Sequence, residues 1–224
     1  MKPIRLFPDR PLFLLPLLLA ALVVSCEVQD FGEILETAGD EIRWYSVVQH
    51  AGVSLPLEIP DDGSFTEPRN ANMIIIVAEL PETVDPASIT EANIDFIGRD
   101  NADVVCDPAF SVDMDEAHTQ VWVIVFGLTD IARYRIRIKN NSGVELSQRV
   151  FARLMGDVDG SGSVLAPDAA IVNNLINDSI DFNPSIVTNI RADIDYDSLH
   201  LNPDLAIVTL GFGTGVTAIV PPFP

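Results

Sequence analysis

From Trp44 to Leu154 short apolar runs alternate with turn residues. The runs "WYSVVQH", "MIIIVAEL", "NIDFIG", "FSVDM", "TQVWVIVFGL", "YRIRIK" and "QRVFARL" have the length and β-branched content of strands. In the sixth, Tyr134, Ile136 and Ile138 alternate with Arg133, Arg135 and Arg137, which predicts one dry face and one wet face. Asp61-Asp62-Gly63, Pro81-Glu82 and Asn140-Asn141-Ser142-Gly143 supply turns between runs. About seven strands with no long helical period predict a mainly β fold, a β-sandwich over residues 44–155. Trp122 and Tyr134 sit inside apolar runs and are expected as core anchors.

The pattern changes at "GDVDGSGSVLAPD", Gly156 to Asp168, where oxygen-bearing side chains fall at alternate positions. With Asp157 as position 1 of a twelve-residue loop, Asp159 is at 3, Ser161 at 5, Gly162 at 6, Ser163 at 7 and Asp168 at 12. Calcium is a hard cation that takes six to eight oxygens, and a loop with this spacing supplies them, position 7 through its carbonyl. Gly162 permits the positive φ of the tight turn, and Val164 at position 8 is placed to plug the loop into a core. The pattern returns 36 residues later in "DIDYDSLHLNPD", with Asp193, Asp195, Asp197 and Asp204 at 1, 3, 5 and 12. Leu201, Pro203 and Ala206-Ile207-Val208 repeat Leu165, Pro167 and Ala170-Ile171-Val172, the mark of a duplicated unit. Each proline suits the first turn of a following helix, and Asn202 is a candidate cap for the second. The second loop departs from pattern: Ser198 stands where glycine is wanted and His200 replaces the apolar plug. Holding Ser198 at positive φ is expected to cost on the order of 1 kcal/mol, so the second loop is expected to bind more weakly.

Two resemblances follow. "MIIIVAELPETVDPASITEANIDF" and "VWVIVFGLTDIARYRIRIKN" resemble the bacterial Ig-like modules of surface proteins, which implies an Ig-like sandwich. Residues 156–213, two loop-and-exiting-helix units lacking entering helices, resemble the type I dockerin. That resemblance implies two Ca²⁺ ions, one held by Asp157, Asp159, Ser161, Ser163 and Asp168, the other by Asp193, Asp195, Asp197, Leu199 and Asp204. It also implies calcium-dependent docking onto a cohesin-like partner in a polysaccharide-degrading surface assembly. The family's hydroxyl recognition pair is replaced here by Ala166-Pro167 and Asn202-Pro203, and the helix faces carry Asn173-Asn174 and Thr209-Leu210. Calcium binding therefore transfers more fully than recognition of a standard cohesin.

The N-terminus changes the expected location. Lys2, Arg5 and Arg10 flank "PLFLLPLLLAALVV", too short and proline-broken to span a bilayer, and residues 1–25 read as an export signal. Val23-Val24-Ser25-Cys26 resembles the bacterial lipobox, which implies lipidation of Cys26 and anchoring to a cell membrane, surface or periplasmic side; the alternative is a plain secretory signal. Residues 26–43 read as an acidic tether, with a short helix as the other reading, and 214–224 as a tail. The net charge of −20, from 33 acids and 13 bases, disfavours a nucleic-acid partner and suits divalent cations. Cys106 is the one cysteine besides Cys26 and is expected in a buried strand. His50, His118 and His200 have no metal spacing, and "DMDEAH" reads as a solvated loop, so no catalytic set emerges. The leading expectation is a non-enzymatic anchored binding protein. The alternative is a carbohydrate-binding or glycoside-hydrolase-associated accessory whose sandwich recognises a glycan.

Overall fold

A computed structural model describes residues 41–50, 53–81, 84–85, 88–115, 117, 119–197 and 199–216. The expected signal peptide, Cys26, nearly all of the tether, His118, Ser198 and residues 217–224 lie outside the described residues. The fold is mainly β. Its strands are β1 (Arg43–His50), β2 (Val53–Glu58), β3 (Thr66–Glu67), β4 (Met73–Glu79), β5 (Ile94–Asp100), β6 (Ala109–Met114), β7 (Gln120–Phe126), β8 (Ala132–Lys139) and β9 (Glu145–Arg153). They form a five-stranded sheet in the order β2-β1-β4-β7-β6 and a four-stranded sheet in the order β3-β9-β8-β5. Every pairing is antiparallel except β3 with β9.

Strand alternation builds one core between the sheets. Trp44, Ile74, Ile76, Val121, Val123 and Val125 point inward from the larger sheet, to meet Phe96, Tyr134, Ile136, Ile138 and Phe151 from the smaller. Trp44 anchors its end through an Nε1 hydrogen bond of 3.0 Å to Ser147 Oγ. Tyr134 stacks on Phe151 at 5.5 Å and meets Phe96 edge-on at 5.8 Å. Gly98 makes room for this ring, because a Cβ there would run into it. The Tyr134 hydroxyl accepts from Thr129 N–H at 2.7 Å and donates to Thr129 O at 3.2 Å.

Two expectations need correction. Trp122 is not a core anchor: its neighbours Val121 and Val123 take the inward places, so it lies half-buried on the opposite face with Nε1 on Gln120 Oε1. Cys106 is half-buried beside the core but in the connection between β5 and β6, with its N–H on Gly98 O. Burial, with the Asp100 and Asp107 charges, raises its thiol pKa. Sequence reading also missed β2 and β3. Pro56 in β2 breaks the strand signature, which an edge strand tolerates, and β3 is only two residues long.

β3 carries a buried ion pair. Arg69 and Glu67 are both fully buried, with Arg69 Nε 2.7 Å from Glu67 Oε1 and Nη2 2.7 Å from Oε2. The remaining guanidinium donors reach Leu55 O at 3.0 Å and Ser46 O at 3.1 Å, and Ser46 Oγ donates to Glu67 Oε2. Burial opposes the Glu67 charge, but Arg69, Ser46 and Arg153 outweigh it and hold the carboxyl at about 2.

Beyond β9 come α1 (Ala166–Asn177), α2 (Val187–Ala192) and α3 (Asn202–Leu210). They enclose a second apolar cluster of Leu154, Val158, Val164, Val172, Leu175, Ala192, Ile194 and Val208. No helix among the described residues is long and apolar enough to cross a membrane.

Candidate metal centre

Both acidic loops fold around their own carboxylates and share three of the hydrogen bonds that do so. In the first, Asp157 Oδ1 accepts Ser161 N–H at 3.0 Å; in the second, Asp193 Oδ1 accepts Asp197 N–H at 3.1 Å. Asp168 Oδ1 accepts Asp159 N–H at 3.0 Å and Oδ2 accepts Leu165 N–H at 2.8 Å. Asp204 repeats both contacts, with Asp195 N–H at 3.3 Å and Leu201 N–H at 3.0 Å. Asp168 and Asp204 each occupy the first turn of a helix, after Pro167 and Pro203, where a negative charge meets the helix dipole. Asn202 is itself helical and Leu201 takes the cap position, so the expected asparagine cap is replaced by the Asp204 carboxylate.

The sequence-predicted residues come together unequally. Asp157, Asp159 and Asp168 bring ligand oxygens within 4.8 Å of one another, as do Asp193, Asp195 and Asp197. Each set could hold a metal ion. Ser161 Oγ lies 3.1 Å from Ser163 O, next to the first set. Leu199 is exposed, and its N–H donates to Asp197 Oδ1 at 2.8 Å. Asp204 stands outside the second three-carboxylate set, holding three backbone N–H groups, the third from Ile194 at 2.7 Å.

Crowding these carboxylates has electrostatic consequences. Asp157, Asp168, Asp193 and Asp204 are 0% exposed. Burial raises the Asp157 pKa despite the Thr66 hydroxyl. For Asp159 burial is outweighed by the Ser161 hydroxyl and N–H, and its pKa is lowered. Burial and then the Asp197 and Asp193 charges raise Asp195, whose Oδ1 is buried with no hydrogen-bond partner. Burial pushes Asp204 up to about 6 even against its backbone donors. A divalent cation would reverse this penalty by turning mutual repulsion into shared coordination.

The second loop keeps the first loop's left-handed backbone at position 4 but puts a non-glycine residue there. Gly160 and Gly162 take positive φ of 76° and 81°, and the counterpart of Gly160 is Tyr196, at φ 55°. The strained side chain described in the second loop is thus a tyrosine at position 4. His200, in place of the fully buried Val164, is also buried, its ring nitrogens 3.3 Å from Ile180 O and 3.2 Å from Asn189 O, beside the Phe182 ring. The plug position is kept by hydrogen bonding where an aliphatic residue is missing.

Three supports of the site were missed from sequence. Thr66 Oγ1 donates to Asp157 Oδ2 at 2.5 Å. Arg191 reaches the Asp157 and Val158 carbonyls at 2.6 and 2.8 Å. Residues 213–216 run along the first loop, with Gly213 N–H on Val164 O, Val164 N–H on Thr214 O and Val216 N–H on Gly162 O, at 3.0–3.1 Å. The available signal was Arg191, the single base among nine acids in 156–213. No family model matches this chain, and no curated protein aligns with it significantly.

Proposed function

We propose that residues 156–213 form a calcium-binding, dockerin-like docking module, carried on an Ig-like sandwich and anchored through a lipidated Cys26. The observation that carries this reading is the repeated carboxylate cage: two loops 36 residues apart with the same hydrogen bonds from position 5 to position 1 and from position 3 to position 12. Carboxylates, a serine hydroxyl and carbonyls are hard oxygen donors, which suit calcium better than a metal preferring sulfur or imidazole. The Ig-like reading draws support from Tyr134, whose hydroxyl bonds back to Thr129 as a tyrosine corner does. The protein acts by binding: calcium orders the module, and the module engages a cohesin-like protein in a polysaccharide-degrading assembly at the cell envelope. Calorimetric titration of the chain with Ca²⁺ should show two ions taken up, the first loop tighter. An absence of heat at millimolar Ca²⁺ would refute the cation reading. Capture of an envelope protein in Ca²⁺ and its release in EDTA is the expected outcome for the docking reading, and identical capture in EDTA the contrary one.

A second reading has one observation in its favour. Trp122, with Ile124 beside it on β7, lies on the face of the larger sheet away from the core, where an aromatic ring can stack on a sugar. A glycan array that binds the chain but not Trp122→Ala would favour a carbohydrate-binding accessory; no binding by either would remove that alternative.

A further inference from the structure

Arg191 lies in the last turn of α2, two residues before Asp193, yet its side chain serves the other loop. The guanidinium is buried and fans over two segments. Nε donates to Val158 O at 2.8 Å and Nη2 to Asp157 O at 2.6 Å. Nη1 donates to Thr66 O at 2.9 Å and Nη2 also to Thr66 Oγ1 at 2.8 Å. The group lies 5.8 Å from the Phe65 ring centre. The same Thr66 hydroxyl donates to Asp157 Oδ2, which also accepts Gly162 N–H at 3.0 Å. Four residues on, Asn70 N–H donates to Ile194 O at 2.7 Å, inside the second loop. The stretch 66–70, which begins with β3, therefore touches both loops, and Arg191 ties it to them.

We propose that Arg191 and Thr66 are positioning residues that couple the two acidic loops to each other and to the smaller sheet. Asp157 is oriented by Thr66, Thr66 by Arg191, and the backbone carrying Arg191 opens the second loop. A cation that fixes Asp157 thereby fixes the start of the second loop, and the reverse holds by linkage. Only a planar fork with separated donors can span the Val158, Asp157 and Thr66 oxygens together; a lysine keeps the charge as a single point. Partners that orient metal ligands in this way change affinity by roughly 10–100-fold when removed. The coupling rests on the reading of the loops as cation sites, but the hydrogen-bonded seam exists without it.

The test uses the full chain with Ca²⁺ alone as the probe. Thr66→Val, which keeps shape and drops the hydroxyl, should weaken uptake by the first loop roughly tenfold or more. Asp157→Asn should weaken the remaining second loop roughly fivefold or more, and on an Arg191→Lys background the same change should leave the second loop unaltered. Equal second-loop affinity with and without Asp157→Asn in the wild-type background would overturn the coupling. Should the wild-type chain take up no Ca²⁺, the cation reading fails by itself and melting in EDTA decides the seam. One transition that splits in two with Arg191→Lys supports it, and one unchanged transition overturns it.

Discussion

The smaller sheet and the acidic loops both bury carboxylates, and they stabilise them by opposite means. Glu67 has a dedicated cation in Arg69, bound through two oxygens and backed by Ser46, and its pKa falls to about 2. Asp157 and Asp204, equally buried, are held mainly by backbone N–H groups and a threonine hydroxyl, and their pKa values rise. Arg191 reaches the first loop's carbonyls, leaving the carboxylate oxygens turned toward one another. The Glu67–Arg69 pair is electrostatically complete from its own chain, whereas the loops have the form of a site completed by an outside cation. A similar density of buried charge is therefore neutralised by a partner in one region and left in a form that could hold a cation in the other.

The largest effect should come from breaking the completed pair. Arg69→Met strands a buried glutamate and should destabilise the chain by about 3–5 kcal/mol, read from denaturant melts. The loss should be the same in EDTA and in Ca²⁺, since no cation replaces Arg69; a loss rescued by Ca²⁺ would erase the contrast between the regions.

For the loops the sign reverses. Calcium at a hundredfold excess over the Kd of a loop should add about 2.7 kcal/mol when that loop fills. Asp157→Ala should abolish more of this than Asp193→Ala, because the second loop holds Tyr196 at positive φ. Equal losses would show that backbone strain does not rank the two loops.

The two regions should also answer pH in opposite directions. Glu67, depressed to about 2, contributes stability that is complete above the unfolded value of 4.5 and lost as pH falls toward 2. Asp204, raised to about 6, favours the fold in its protonated form. That contribution is complete below about 3.8 and is lost as pH rises through 6. In EDTA the helical signal should therefore melt lower at pH 7 than at pH 5, and Asp204→Asn should flatten that slope. A slope unchanged by Asp204→Asn would assign it to other carboxylates.

The smallest change tests the strain itself. Tyr196→Gly should relieve about 1 kcal/mol of left-handed backbone cost, offset in part by lost packing, since Tyr196 lies against the main core. Calcium affinity of the second loop should rise; a fall would mean that the ring, not the backbone, supports the site.

Much of this was legible along the chain because period and spacing are local properties. Alternation in Ala132–Lys139 gave β8 its dry face of Tyr134, Ile136 and Ile138, and a fixed offset gave the paired loops before any fold was known. The prolines placed the helix starts, since a residue lacking an N–H suits a first turn. Local pattern failed where a residue's role depends on what faces it. Trp122 sits in an apolar run whose parity turns it away from the core, and no local pattern marks Glu67 and Arg69 as a buried pair, because only the closed fold covers them. Ser198 drew attention as the missing glycine, while the strain among the described residues fell on Tyr196, set by the path of the loop. Thr66 and Arg191 meet across 125 residues, so their contact belongs to tertiary structure alone. Side-chain spacing determined which residues could carry a charge or a cation, and only packing decided which of those charges were given a partner.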